Sequence, residues 1–223
     1  MKHIPSDKYT VAWFKLADVI SRGEKERALG VYRLLSHSLD DTAFATQLEG
    51  DILLAFKDHT AITKYEDAAW RYHKEGRVLQ AAAVYEHLLL IGPETEKYIT
   101  TLINWYESLN LSLREQEMKY RLFDLFVDGQ KYDDASELLS TVKKDESIPQ
   151  KEINARRRLI LAMVSTCTSL DRKVLDHIKI ILDWYVARNE GSILQAFLSE
   201  LEALNEEYYL LSCQYIDEGK NQE

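Results

Sequence analysis

Apolar residues return at steps of three and four along nearly the whole 223-residue chain, interrupted every 15 to 20 residues by a short polar or glycine-containing break. A period near 3.6 lays one apolar stripe along a helix, so the pattern predicts helices from end to end, each with one face to bury. The breaks divide the chain into about twelve, over residues 8–22, 25–37, 42–57, 60–75, 78–91, 95–108, 112–127, 131–142, 150–168, 171–188, 192–204 and 206–218. Gly23, Gly76 and Gly129 fall where a left-handed residue would end a helix, and Gly92-Pro93 cannot continue one. Asp171 and Ser192 stand as N-caps ahead of apolar runs. The least helical stretch, "KKDESIPQ" from Lys143 to Gln150, marks an internal boundary between residues 1–142 and 150–223.

Only eight Gly and three Pro occur, which favours helix over strand. The net charge of -9 and a pI near 5.3 repel phosphate backbones and anionic membrane surfaces, so no nucleic acid is expected as partner. Cys167 and Cys213 are the only cysteines, giving neither a disulfide framework nor a metal-ligand spacing, and a reducing compartment fits them. The opening "MKHIPSDKYT" has no apolar core of a signal peptide, and no run approaches the ~18 apolar residues a membrane span needs. A soluble, cytoplasmic protein is expected.

Short connections make neighbouring helices antiparallel, and a string of hairpins closes into a bundle or stacks into a solenoid. The stretch Tyr65 to Pro93 decides between them. Tyr65, Ala68, Ala69 and Tyr72 share one face; after Gly76 come Ala81, Tyr85 and Leu88, and then Pro93. This resembles the tetratricopeptide repeat, a 34-residue hairpin with the pattern W-x2-L-G-x2-Y, A-x3-F, P. Trp13, Leu16, Ala17, Ile20, Gly23, Ala28, Tyr32 and Leu35 form a second match, and Leu48, Gly50, Leu53, Ala61, Tyr65 and Ala68 a third. Ile99, Leu102, Ile103 and Tyr106, then Leu122 and Phe126, then Tyr132, Ala135, Leu138 and Val142 extend it over about two thirds of the chain. The helix at 60–75 serves two matches, once as second helix and once as first, so two pairing phases stand. The resemblance implies an all-α, right-handed solenoid of tetratricopeptide-like hairpins over residues 8–142, continuous with a divergent helical capping region at 150–223.

It also implies protein–protein recognition by a scaffold or adaptor that binds a peptide or helix in a concave groove, without catalysis. With Tyr65 opening a repeat, the motif aims Glu66, Trp70 and His73 at that groove, joined by Thr100, Asn104 and Glu107 and then by Tyr120 and Asp124. Aromatic side chains bury area at low entropy cost, which suits a groove; packing between hairpins is the other reading of Trp70 and Tyr120. The family's clamp for chaperone tails needs Lys and then Gly-Asn where this chain has Phe14 and Ala17-Asp18. An aspartate there would repel a carboxylate, and the acidic lining points to a basic or neutral partner.

Other chemistry is thin. His59, His73 and His87 are spaced by fourteen, but no His-x3-His pair or acidic ligand accompanies them, and no metal or other cofactor is expected. No phosphate loop, nucleophile elbow or catalytic carboxylate pair appears. Residues 141–173 hold eight Lys or Arg against four acids, including Arg156, Arg157 and Arg158. Three successive arginines span about 300° of a helix, so they cannot share a face. They match the acidic segment 190–223 internally or form a secondary contact for an external acidic or nucleic-acid partner. Leu201, Leu204, Tyr208, Leu211 and Tyr215 make a C-terminal stripe that either caps the array or forms a homodimer seam. Two other functions stay open, a cytoplasmic chaperone for a secreted or aggregation-prone client and an enzyme or metal site on a helical array.

Overall fold

The computed structural model describes residues 8–93, 95–142, 149–166 and 169–220. Twelve α-helices and no strand occur among them. They are α1 (Lys8–Ser21), α2 (Lys25–Ser36), α3 (Thr42–Ala55), α4 (Thr60–Lys74), α5 (Val78–Ile91), α6 (Glu96–Ser108), α7 (Ser112–Asp128), α8 (Tyr132–Thr141), α9 (Pro149–Thr166), α10 (Arg172–Ala187), α11 (Gly191–Leu204) and α12 (Glu206–Lys220). The fold is all-α, and helices pack chiefly on their neighbours in sequence, as in a solenoid.

The chain divides into two compact units, Met1–Leu111 with α1–α6 and Ser112–Glu223 with α7–α12. The sequence break at 143–150 falls inside the second of these, where α7 and α8 pack on α9; residues 143–148 lie outside the described residues.

Six helices end in the same way, with one left-handed residue and a backbone N–H from the next residue returning five positions. Gly23 (φ 74) and Gly76 (φ 76) do this as their sequence context predicts. Gly129 does not: α7 runs to Asp128, the Gly129 N–H still donates to the Leu125 carbonyl, and the left-handed residue is Gln130 (φ 57). Lys57, Asn110 and Asn189 fill the role elsewhere. Gly92 (φ -117) ends α5 in extended backbone ahead of Pro93. Asp171 caps α10 by accepting the Lys173 N–H at 2.8 Å. Ser192 is not a cap, because the left-handed turn at Asn189 delivers the chain into α11 at Gly191, one residue early.

In the first unit α4 buries Ala61, Tyr65, Ala68, Ala69 and Tyr72, and it packs most closely against both α3 and α5. A close neighbour on either side in sequence is compatible with either pairing phase. The close approach to α3 rests on Gly50, where an added Cβ would stand 3.2 Å from the Tyr65 ring. Tyrosine hydroxyls then tie helices together. Tyr65 donates to Asp51 at 2.6 Å, Tyr72 to Gln47 at 3.0 Å, Tyr32 to the Ala45 carbonyl at 2.9 Å and Tyr106 to Glu86 at 2.6 Å.

The second unit packs larger aliphatics, among them Ile153, Leu159, Ile160, Ile178, Ile181 and Leu182. Leu201 and Tyr208 of the C-terminal stripe are fully buried, and the Tyr208 hydroxyl accepts the Asp171 N–H at 2.7 Å. Leu204 and Leu210 remain exposed. Cys213 is a free, half-buried thiol, while Cys167 lies outside the described residues. No helix among the described residues is long and apolar enough to cross a membrane.

Candidate recognition surface

On α4, Glu66, Trp70 and His73 follow one another at steps of four and three, which sets them along one side of the helix. That side faces α6, two helices on. Glu66 accepts hydrogen bonds from the Tyr98 hydroxyl at 3.0 Å and from the Lys97 ammonium at 2.8 Å. Two turns further, the His73 imidazole stacks on the Trp105 indole, with ring centres 5.2 Å apart and planes 21° from parallel. Tyr85 of α5 closes the floor, 4.9 Å from Trp105 and 5.1 Å from Tyr98. Trp70 stands beside this wall, 56% exposed, with the Lys74 ammonium 4.8 Å above its ring.

The electrostatics are local pairs. Lys97 holds the Glu66 carboxyl below the usual carboxylate range, aided by the Tyr98 hydroxyl, and Glu66 in turn holds Lys97 up. Burial, and then Glu66, push the Tyr98 phenol up to about 12, so it remains a donor at any physiological pH. Asp67 is paired with Arg71 at 3.1 Å, and Glu75 with Arg77 at 3.2 Å. No carboxylate among the described residues pairs with Lys74.

Of the sequence-predicted residues, Glu66, Trp70 and His73 share this surface; Asn104, seven residues after Lys97, is exposed on the Lys97 side of α6, and Thr100 and Glu107 are exposed further round it. At about 100° per residue, Thr100 points about 140° and Glu107 about 160° round α6 from Trp105. Sequence reading missed Trp105, Tyr98, Lys97 and Tyr85. Trp105 could have been found, since its seven-residue spacing from Tyr98 marks one side of the helix just as Glu66 and His73 do.

Tyr120 and Asp124 belong to the second unit. Tyr120 is half-buried under the Lys151 ammonium, 4.3 Å from its ring centre, and Asp124 is paired with Arg158. The three arginines go three ways, as helix geometry demands. Arg156 grips Glu152 with two nitrogens and donates to His177 Nδ1 at 2.9 Å; Arg157 pairs with Glu200 at 2.6 Å; Arg158 bridges Asp124 and Asp128. The Arg157–Glu200 pair is a match with the acidic C-terminal segment.

The histidines also separate. His59 sits exposed at the start of α4, and His87 packs edge-on to Tyr65 with ring centres 5.0 Å apart. His87 lines a hollow of about 260 Å³ with Gln47, Tyr65, Gln80, Ala83 and Val84, between α3 and α5. No group of three His, Cys, Asp or Glu able to hold a metal ion occurs among the described residues. A scan against models of known protein families finds no match, and a search of curated proteins returns no similar protein.

Proposed function

We propose that the chain is a non-catalytic recognition module, a scaffold or adaptor of the tetratricopeptide-like kind acting in the cytoplasm, and that it takes a peptide or helix of a partner on the α4–α6 surface. The observation that carries the reading is Trp70: a large indole, 56% exposed, on a helix whose two tyrosines, Tyr65 and Tyr72, are buried. Leaving such a side chain in water forgoes the burial that stabilises every other large ring nearby, and a partner that covers it recovers that free energy. Trp105 and His73 supply a rigid, pre-stacked flank, which lowers the ordering cost of binding.

Affinity capture from a cytoplasmic lysate tests this, with wild type compared against Trp70→Ala. Circular dichroism of the variant should be unchanged, because Trp70 is 56% exposed. A partner retained by wild type and lost by the variant is the expected result. Equal retention by both would place binding elsewhere, and retention by neither would remove the reading.

A further inference from the structure

Among the described residues, α5 is the one helix whose exposed side chains are all uncharged: Leu79, Gln80, Ala83 and Leu90. From the register of that face we propose that it is a self-association surface, on which a second copy of this chain lays its own α5 antiparallel to the first. The proposal does not depend on the recognition reading of the α4–α6 surface.

A surface helix ordinarily turns charge to water, and one that is apolar nearly all round is normally covered. The inner side of α5 buries Ala81, Ala82, Val84, Tyr85, Leu88 and Leu89, yet Leu79 is 58% and Leu90 80% exposed on the outer side. At about 100° per residue Leu79, Ala83 and Leu90 fall within about 40° of one another, so they form one stripe. Covering it removes two leucines from water in each copy.

A two-fold contact brings residue i to residue j and j to i, so such a face has to match its own reverse. This one does. Turned about its middle, α5 sets Leu79 against Leu90 of the copy and leaves the small Ala83 beside the axis, where two backbones can approach. Gln80 and His87 point about 20° apart on the α3 flank of the stripe, where both line the hollow of about 260 Å³ between α3 and α5. The same turn places Gln80 beside His87 of the copy. No hydrogen bond within the described residues occupies either side chain; His87 meets the Tyr65 ring alone. An amide and a neutral imidazole each donate and accept, so this pair satisfies itself twice about the axis.

Charge selects the face. A chain of -9 repels its copy, most strongly where exposed acids meet across an axis. Every other helix has an exposed Asp, Glu, Lys or Arg among its described residues. Around α5 the acids stand on the flanks. Glu86 is half-buried on the α6 side and accepts the Tyr106 hydroxyl at 2.6 Å; Asp51 of α3 accepts the Tyr65 hydroxyl at 2.6 Å. Just before the helix, Arg77 is shared by Asp41 and Glu75. The two copies therefore meet over an uncharged stripe with like charges at its margins.

One helix a side covers less than the ~800 Å² per partner of a standard interface, so the dimer is weak, with Kd on the order of 10–100 μM. Sedimentation equilibrium of the full chain from about 5 to about 500 μM spans that range. Ala83→Glu sets two carboxylates beside the axis and should weaken association at least tenfold, as should Leu90→Glu. Leu34→Glu, an equal charge change on α2 at 77% exposure, should leave it within about twofold. An equimolar mixture of Ala83→Glu and Ala83→Lys should associate as wild type does, which a merely misfolded variant would not. High salt should leave the dimer as tight or tighter, because the flanking acids repel. A chain that stays monomeric throughout, a dimer indifferent to both Ala83→Glu and Leu90→Glu, a mixture that does not recover, or a dimer that salt dissociates would each overturn the proposal.

Discussion

Among the described residues, eight alanines are buried in Met1–Leu111 and two in Ser112–Glu223, and the contrast explains how each unit holds its helices. In the first unit Ala61, Ala68, Ala69, Ala81 and Ala82 let α3, α4 and α5 approach closely, and tyrosine rings fill the remaining grooves with their hydroxyls directed to acceptors on the next helix. In the second unit branched aliphatics fill the core and arginines pair across helices. Arg157 crosses from α9 to α11, and Arg158 from α9 to α7. Short tyrosine bonds tolerate no added volume, while long arginine side chains adapt. The candidate surface draws its side chains from the first unit, on α4, α5 and α6.

The comparison breaks most readily by overpacking. Ala68 is 0% exposed, and Ala68→Leu should cost about 2–3 kcal/mol and raise hydrogen exchange across α3–α5. Ala155→Leu in α9, at 9% exposure, should cost about 1 kcal/mol. Equal penalties in denaturant unfolding would remove the distinction.

The next effect belongs to the second unit. His177 of α10 lies between Arg156 of α9 and Ser136 of α8, each 2.9 Å from a ring nitrogen. Arg156 can only donate, so Nδ1 is the acceptor, Nε2–H donates to the Ser136 hydroxyl, and the imidazole is neutral. Burial, and then the Arg156 charge, hold its pKa below the ordinary 6.5, against a smaller pull upward from Asp176. Below 6.5 the unfolded chain therefore binds a proton that the native chain refuses, and stability falls as pH drops from 6.5 toward the native pKa. Above 6.5 it is flat with respect to this group. Hydrogen exchange in α8–α10 should quicken between pH 7 and pH 5 in wild type and much less in His177→Gln, whose amide can make both bonds; an identical acid response in the two would assign it to other groups.

Smallest is the effect of Gln130→Gly. A left-handed non-glycine residue is strained, and relieving it should stabilise the second unit by about 0.5–1 kcal/mol, seen as a higher unfolding midpoint. Lys57→Gly should do the same for the first unit, since Lys57 has φ 55.

Local structure was legible in the sequence because periodicity and turn residues are local. All twelve helices lie within two residues of their expected bounds. Gly23, Gly76, Gly92 and the Asp171 cap behave as their chemistry requires. Gln130 and Lys57 were not legible, since neither residue type favours the left-handed region and only the pull of the next helix places it there. Asn110 and Asn189 carried a usable signal, because asparagine tolerates that conformation. The division after Leu111 was hidden for a related reason: the Asn110 turn has the same form as turns inside each unit. On the surface, the alignment of Glu66, Trp70 and His73 could be read from one helix. Its partners on α6 could not, as they depend on how two helices are set side by side. The neutralisation of Glu66 by Lys97 spans 31 residues, so the acidic lining seen in the sequence is not the charge that a ligand meets.

Site-specific photo-crosslinking in a lysate tests the central claim most directly, with a benzophenone side chain at Thr101, on the α6 flank facing α4, and controls at Leu34 and Leu113, each 77% exposed. A discrete product from Thr101 that disappears on Trp70→Ala, with none from the control positions, is the predicted result. Products of equal yield from all three positions, or a Thr101 product indifferent to Trp70→Ala, would contradict it.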